Sequence, residues 1–301
     1  GRDPNPARVG QRGIGELVQL RFVAGQPDQL LLRHPRRERD LVVVDDLVEA
    51  GEAGDHDRPL ADGPGITARA DGDGWVLSGS AAVVTDAPLA THLLIAADTG
   101  RGTGLFLTEF DAAAPPAGLT VHGYRTIDDR RAADLELDGV RVAAPLVEDA
   151  TAELDRARDE AAAAVCAEAV GGMRKVLADT VEYCKQRQQF GQPIGSFQAL
   201  QHRMVDMYME VEQAVAAVYL AILNLEADPE VRARSVSAAK AVVGRAARFV
   251  GQNAVQLHGG MGMTEELAIG HYFKRLTAVQ YEFGSTDYHL SRYATITHPG
   301  A

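Results

Sequence analysis

From about residue 150 onward the apolar residues recur every three to four positions, and that period has to end up as packed helices. Val165, Ala169, Met173, Val176, Thr180 and Cys184 form one stripe. Leu200, Met204, Met207, Val211, Ala214, Val218 and Ile222 form a second, and Val236, Val243 and Val250, seven apart, a third. A helix with one apolar stripe must cover it with another element, so three in succession predict an antiparallel bundle. Asp228-Pro229-Glu230 marks a helix start, since proline is tolerated in a first turn. Stripes of methionine and aliphatic residues are core before they are anything else, and no cofactor box is read in them.

Upstream the period changes to two. Between about 59 and 147 the strand-like runs are 75–78, 83–85, 92–96, 104–108, 119–122 and 133–137. Turn residues separate them at the spacing of a small barrel or sandwich, with Asp71-Gly72-Asp73-Gly74 feeding the first and Asp138-Gly139 a turn after the last. The expected fold is therefore α+β and multidomain: a small β-barrel or sandwich over 59–147, then an antiparallel four-helix-type bundle over 148–301. Residues 1–58 differ from both. Arginine and acidic residues crowd together, as in Arg36-Arg37-Glu38-Arg39-Asp40, and the apolar runs, Leu41–Val44 among them, are short. They read as a loop-rich arm, or as a leader not native to the β domain after it.

A formal charge of −12 argues against nucleic acid or an anionic membrane as partner. No apolar run approaches the roughly 20 residues of a membrane helix, so the chain reads as soluble and cytoplasmic. Cys166 and Cys184 lie in helical pattern and read as buried free thiols, and the nine histidines show no ligand spacing, so no metal is expected.

Two stretches carry chemistry. In Arg187-Gln188-Gln189-Phe190-Gly191-Gln192-Pro193, Gly191 and Pro193 are read as closing the first helix, with Arg187 and Phe190 on one face of its last turn. A guanidinium beside an exposed ring suits a ligand with both a phosphate and a flat ring, although an inter-helix elbow with a surface arginine has the same pattern. In Gln256-Leu257-His258-Gly259-Gly260-Met261-Gly262-Met263-Thr264-Glu265, three glycines in four positions expose backbone amides to a ligand. A new helix from Thr264 would offer its positive end there; a plain tight turn is the alternative.

Taken with Gly270-His271-Tyr272-Phe273-Lys274-Arg275, these stretches resemble the C-terminal domain of the acyl-CoA dehydrogenase family. Gly74-Trp75-Val76-Leu77-Ser78-Gly79 resembles that family's middle domain, and Gly284-Ser285-Thr286-Asp287-Tyr288-His289-Leu290 is similar to a bacterial branch of often two-subunit enzymes, pimeloyl-CoA-type small subunits included. The resemblance implies an FAD enzyme that desaturates an acyl-CoA thioester, reoxidised by an electron-transferring flavoprotein. By motif it implies Arg187 at the FAD pyrophosphate and Phe190 at its adenosine end. Gln256, Gly259 and Gly260 would line the same dinucleotide across a subunit interface, hence a homodimer, a tetramer or a heteromer with a paralogous subunit. Thr85 falls where the family places a hydroxyl near the flavin ring, and Val83 stands where an aromatic residue often covers it. The family's N-terminal helical domain is not recognised, so 1–58 is expected to be a truncated or out-of-frame leader. Scarce lysine beside common arginine fits a GC-rich gene.

Taking a proton from the thioester α-carbon needs a carboxylate in an apolar pocket. Glu282, after Tyr281 and seventeen residues beyond Glu265, has the family's spacing for the base, with Phe283 interrupting the glycine that normally comes next. Glu160, beside a second position used in the family, is the alternative, and a base outside this chain is the third; Glu168 is read as structural. The functional readings are a flavin-dependent acyl-CoA dehydrogenase, a non-catalytic partner that completes flavin binding in a heteromer, and a related flavin monooxygenase or oxidase.

Overall fold

Alternation of side chains along the strands gives the first unit one buried face, and the computed structural model, which describes residues 41–44 and 65–298, shows what lies on it. The strands are β1 (Leu41–Val44), β2 (Ile66–Asp71), β3 (Gly74–Thr85), β4 (His92–Asp98), β5 (Thr103–Glu109), β6 (Leu119–Arg125) and β7 (Arg131–Val142). Among the described residues they make one seven-stranded sheet in the order β1-β4-β2-β3-β7-β6, with β5 also on β4. Leu77, Leu93, Ile95, Phe106 and Leu135 are fully buried on it, and Trp75 packs on Phe106 with ring centroids 5.5 Å apart.

Two irregularities curl this sheet. The pairing of β3 with β7 slips between Leu77 and Gly79 and again between Ala81 and Val84. The first slip corrects an expectation. Asp138-Gly139 is no turn: both residues lie inside β7, with Gly139 at φ 70°, and they form a bulge in one continuous strand. Glycine inside a strand pattern allows either outcome, and the hydrogen bonds on both sides decide for the bulge. At the second slip Val83 stands at φ 52°, an uncommon place for a β-branched residue. The Asp134 carboxylate accepts from the Val83 N–H at 2.8 Å and from the Tyr124 hydroxyl at 2.7 Å, which fixes the kink just before Thr85. Leu41–Val44, within the stretch read as a loop-rich leader, is a strand parallel to β4; the rest of 1–58 lies outside the described residues.

The second unit comprises the helices from residue 158 onward together with the turn at 125–130. Its elements are α1 (Thr151–Gln186), α2 (Gln198–Leu223), α3 (Pro229–His258), α4 (Ala268–Ala278) and α5 (Thr286–Thr297), five helices among the described residues. The first turn of α1 belongs with the sheet, where Ala150 and Leu154 pack on Ala96 and Leu105. Only a short connection separates α2 from α3, which pack along their lengths as an antiparallel pair. Met173, Met207, Val243, Val250 and Leu276 are completely or almost completely buried between the helices. The second stripe drifts at its end: Ala221 is buried and Ile222 is 39% exposed, because 3.6 residues per turn does not hold a four-residue step. Cys166 and Cys184 are buried free thiols, and burial pushes the Cys166 thiol up to about 12. No helix among the described residues is long and apolar enough to cross a membrane.

Candidate functional site

The helix expected to run to Gly191 stops at Gln186, and the reason is a hairpin rather than a cap. Gln188–Gln189 (β8) pairs with Gln192–Pro193 (β9) around the two-residue turn Phe190-Gly191, whose φ values are 55° and 78°. Positive φ at both central residues is the signature of a type I′ turn, which glycine accepts freely and phenylalanine does not. The strained residue is also 90% exposed, touching the Phe197 ring edge-on at 6.1 Å. A bulky apolar ring held in solvent at a conformational cost is poor packing and good presentation. Arg187, at the base of the hairpin, is exposed and its side chain has no hydrogen bond or ion pair among the described residues. Its backbone is fixed, N–H to Tyr183 O and carbonyl to Ile194 N–H, both 2.8 Å.

The glycine connector meets the elbow at the same end of the bundle. Tyr183, one turn before Arg187, stacks on His258 with ring centroids 4.2 Å apart, and His258 immediately precedes Gly259. Gly259 takes φ 60°, ψ −141°, a region closed to side chains, and caps α3 by donating to Gln256 O. A Cβ added to Gly259 or Gly260 would meet nothing within 4 Å, so this bare backbone faces open space, and the Gln256 side chain beside it is exposed. The next helix corrects the expected start at Thr264: a 3-10 turn covers Gly259–Met263 and α4 begins only at Ala268. Its N-terminus is therefore several residues from the glycines, and the bare, exposed Gly259–Gly260 backbone rather than the helix end is what the connector offers.

Thr85 ends β3, half-buried, and its hydroxyl has no hydrogen bond among the described residues. It lies in the sheet unit, whereas Arg187, Phe190, Gln256, Gly259 and Gly260 lie in the helical unit.

Glu282 is not in an apolar pocket. Arg275 grips it in a fork, Nη1 to Oε1 at 2.5 Å and Nη2 to Oε2 at 2.9 Å, and Arg130 Nη1 adds a third bond at 3.2 Å. The same Arg275 also binds Glu168, through Nε at 2.6 Å and Nη2 at 2.8 Å, and Asp128 through Nη1 at 2.9 Å. Burial works against ionisation of Asp128, but the Thr126 hydroxyl and Arg275 hold its carboxyl below the usual carboxylate range. Glu160 is half-buried on α1. Its neighbour Asp159, which sequence reasoning passed over, is 1% exposed and paired with Arg232 Nε at 3.1 Å and Arg292 Nη1 at 2.6 Å. The only hint was an acidic residue at a stripe position one turn before Ala162-Ala163.

Lys240 and His289 were also missed, and both attend the loop that carries Glu282. Lys240 is fully buried and donates to Val279 O, Gln280 O and Gly284 O at 3.0, 3.2 and 2.8 Å. Burial brings it down to about 8, against the opposing pull of Cys166 and Glu282. His289 lies 2.8 Å from Phe283 O through Nε2 and 3.2 Å from the Ser237 hydroxyl through Nδ1. Since a carbonyl only accepts, Nε2 carries a proton. Burial above all, with the charges of Lys240 and Arg292, lowers the imidazole to about 4. An unfolded histidine protonates near 6.5, so this contribution to stability is complete above that value and is lost as pH falls from about 6.5 to 4, by about 3 kcal/mol at most. Urea melts of the helical unit between pH 7 and 4.5 are expected to show the fall, and His289→Gln to flatten it.

Residues 151–296 match the family model described as acyl-CoA dehydrogenase, C-terminal domain. The acyl-CoA dehydrogenase IpdE2 of Mycolicibacterium smegmatis is 44% identical over 117 residues, 39% of this chain and 36% of that protein. The chain thus matches about a third of the length of that relative. Among solved structures, the Tcur3481-Tcur3483 steroid ACAD G363A variant is 32% identical with a TM-score of 0.73, over 86% of this chain and 67% of that one. The ChsE4-ChsE5 complex from Mycobacterium tuberculosis is 26% identical with a TM-score of 0.73, over 88% and 68%.

Proposed function

This chain belongs to the acyl-CoA dehydrogenase family, and from that premise we propose that it is a subunit of an FAD-dependent enzyme desaturating an acyl-CoA thioester between its α and β carbons. One observation carries the proposal: at a single end of the bundle an uncommitted guanidinium, a strained and exposed ring, and bare glycine backbone stand together. That donor set fits a dinucleotide. Arg187 would bind the pyrophosphate, Phe190 would pack on the adenosine end, and Gln256 with the bare Gly259–Gly260 backbone would line the rest. In the sheet unit taken by itself, Thr85 has a hydroxyl without a hydrogen bond among the described residues, a group that would suit a flavin ring. FAD, when bound, supplies the acceptor for the β-hydride, and an electron-transferring flavoprotein is the proposed reoxidant.

Two features support a site shared between subunits. Lys240, which holds the Glu282 loop, precedes His258 by 18 residues on α3, a rise of about 27 Å. One chain therefore presents its glycine connector and the Glu282 loop at well-separated heights along α3. Along α2, Val205, Tyr208, Met209, Tyr219 and Leu223 are 48 to 80% exposed, an apolar row of the kind an oligomer covers. The ChsE4-ChsE5 complex pairs two different chains, and a homomer or a heteromer with a paralogue both fit here.

Glu282 is the base we propose for this chain, with Glu160 the alternative. Its ion pairs favour a second reading, in which the chain completes the flavin site and a partner chain takes the α-proton, because oxygens already accepting from two guanidiniums are not waiting for a C–H proton. The test of the flavin site precedes that question. The purified protein is expected to be yellow, and Arg187→Ala to bind FAD about 10- to 100-fold more weakly, as the loss of a charged hydrogen bond implies, with its circular dichroism unchanged. A wild-type protein that takes up no FAD, or Arg187→Ala with undiminished affinity, overturns the reading.

A further inference from the structure

The loop 279–285 between α4 and α5 is more heavily tethered than its exposure requires. Tyr281 and Phe283 are 50% and 46% exposed, yet four backbone carbonyls of the loop point inward to buried donors. Lys240 takes those of Val279, Gln280 and Gly284, and His289 takes that of Phe283. The backbone between them is bent at two consecutive residues, Phe283 at φ 55° and Gly284 at φ 99°. Glycine is demanded at 284 on a second count, because a Cβ there would lie 2.5 Å from the Tyr288 ring and 2.9 Å from His289 Nε2. A turn of this length normally closes with backbone bonds and solvent. Sinking an ammonium group with no carboxylate in direct contact is costly, and here the carbonyls it gathers are what it satisfies.

Glu282 projects from the middle of the loop to meet Arg275 and Arg130. We propose that Lys240 and His289 are positioning residues for the reaction: from behind, they hold the 279–285 loop in the bent form that presents Glu282, and neither touches the substrate. Lys240 acts through three carbonyls, two before Glu282 and one after, so the carboxylate is bracketed. His289 pins the carbonyl of the next residue and, through Ser237 and Arg292, ties the bracket to buried Asp159. This inference rests on the reading of the chain as a flavin-dependent dehydrogenase with Glu282 at its acyl site, and its test has an arm that does not.

That arm is limited chymotrypsin digestion of the full chain, which reads the loop directly because Tyr281 and Phe283 are the bonds to be cut. Lys240→Met and His289→Leu are expected to be nicked there at least tenfold faster than wild type. His289→Gln, whose amide can replace the Nε2 donor, is expected to resist like wild type. In the kinetic arm, on the flavin-loaded protein with an acyl-CoA thioester, Lys240→Met and His289→Leu are expected to lose at least tenfold in kcat. Their KM is expected within twofold of wild type and their visible spectrum unchanged, while His289→Gln recovers kcat. If both apolar variants resist chymotrypsin like wild type, or if His289→Gln is nicked as fast as His289→Leu, the positioning role is wrong. Faster nicking with undiminished kcat equally overturns it. A wild-type protein that is colourless or unreduced by any acyl-CoA overturns the dehydrogenase reading instead, and the digestion then decides the tethering alone. If Lys240→Met fails to fold, the two His289 variants carry the decision.

Discussion

Replacing Asp159 by Ala is expected to destabilise the helical unit by about 3–5 kcal/mol, a large part of what an ordinary domain possesses. Asp159 is 1% exposed and its two oxygens serve different partners, Arg232 from the start of α3 and Arg292 from α5. The Arg232 side chain is 8% exposed and that of Arg292 22%, so neither can turn to water when the carboxylate is removed. The loss is therefore the cost of two stranded cations rather than the worth of two bonds. Asp159→Asn keeps the shape and one acceptor oxygen and is expected to lose less. Urea denaturation followed by circular dichroism at 222 nm, which reports the helices, checks both. The comparison is of the helical transition's midpoint and slope. A midpoint unchanged in Asp159→Ala would mean that the triad is not buried in the folded protein.

The second large effect is kinetic. Glu282→Gln is expected to leave the protein yellow and to slow flavin bleaching by an acyl-CoA by about 10²- to 10⁴-fold, the range spanned by a positioned general base. Glutamine keeps the size of the side chain and an oxygen for Arg275, so the loop survives while the proton acceptor is removed. The substitution also frees Arg275 in part, since a neutral amide cannot match the fork now closed on both carboxylate oxygens. Glu168 and Asp128 still hold Arg275 in place, which keeps the change local. Stopped-flow absorbance near the flavin maximum separates the two readings of this chain. Loss of bleaching with colour retained assigns the base to Glu282. Bleaching within threefold of wild type assigns proton abstraction to a partner chain and leaves Glu282 an anchor for Arg275.

Much of this protein is written in its sequence because burial leaves a period. The residues spaced three to four apart from Val165 to Cys184 are all buried, as are Val236, Val243 and Val250, and the strand runs lie in strands. Local exceptions arise from hydrogen bonds that a period does not register. Gly191 signals a turn in any reading, but only the Gln188–Gln189 and Gln192–Pro193 ladder shows that the turn is a hairpin with Phe190 forced into solvent. Gly139 signals a break, and only the pairing with β3 makes it a bulge.

The elbow and the glycine connector could each be picked out by residue type, since bare backbone and a lone exposed arginine are local properties. Their shared position at one end of the bundle was not legible, because it depends on a Tyr183–His258 stack between residues far apart in the chain. The same holds for most of the charges around Glu282: Arg275 is only seven residues from it, but Arg130 meets it from 152 residues away. Arg275 meets Glu168 from 107 residues away and Asp128 from 147, and Asp159 meets Arg292 from 133. A charged residue looks the same in sequence whether it faces water or another charge. Spacing named the candidate carboxylate; only the packed helices decided that it would be held by arginine, on a loop anchored from behind by a lysine and a histidine.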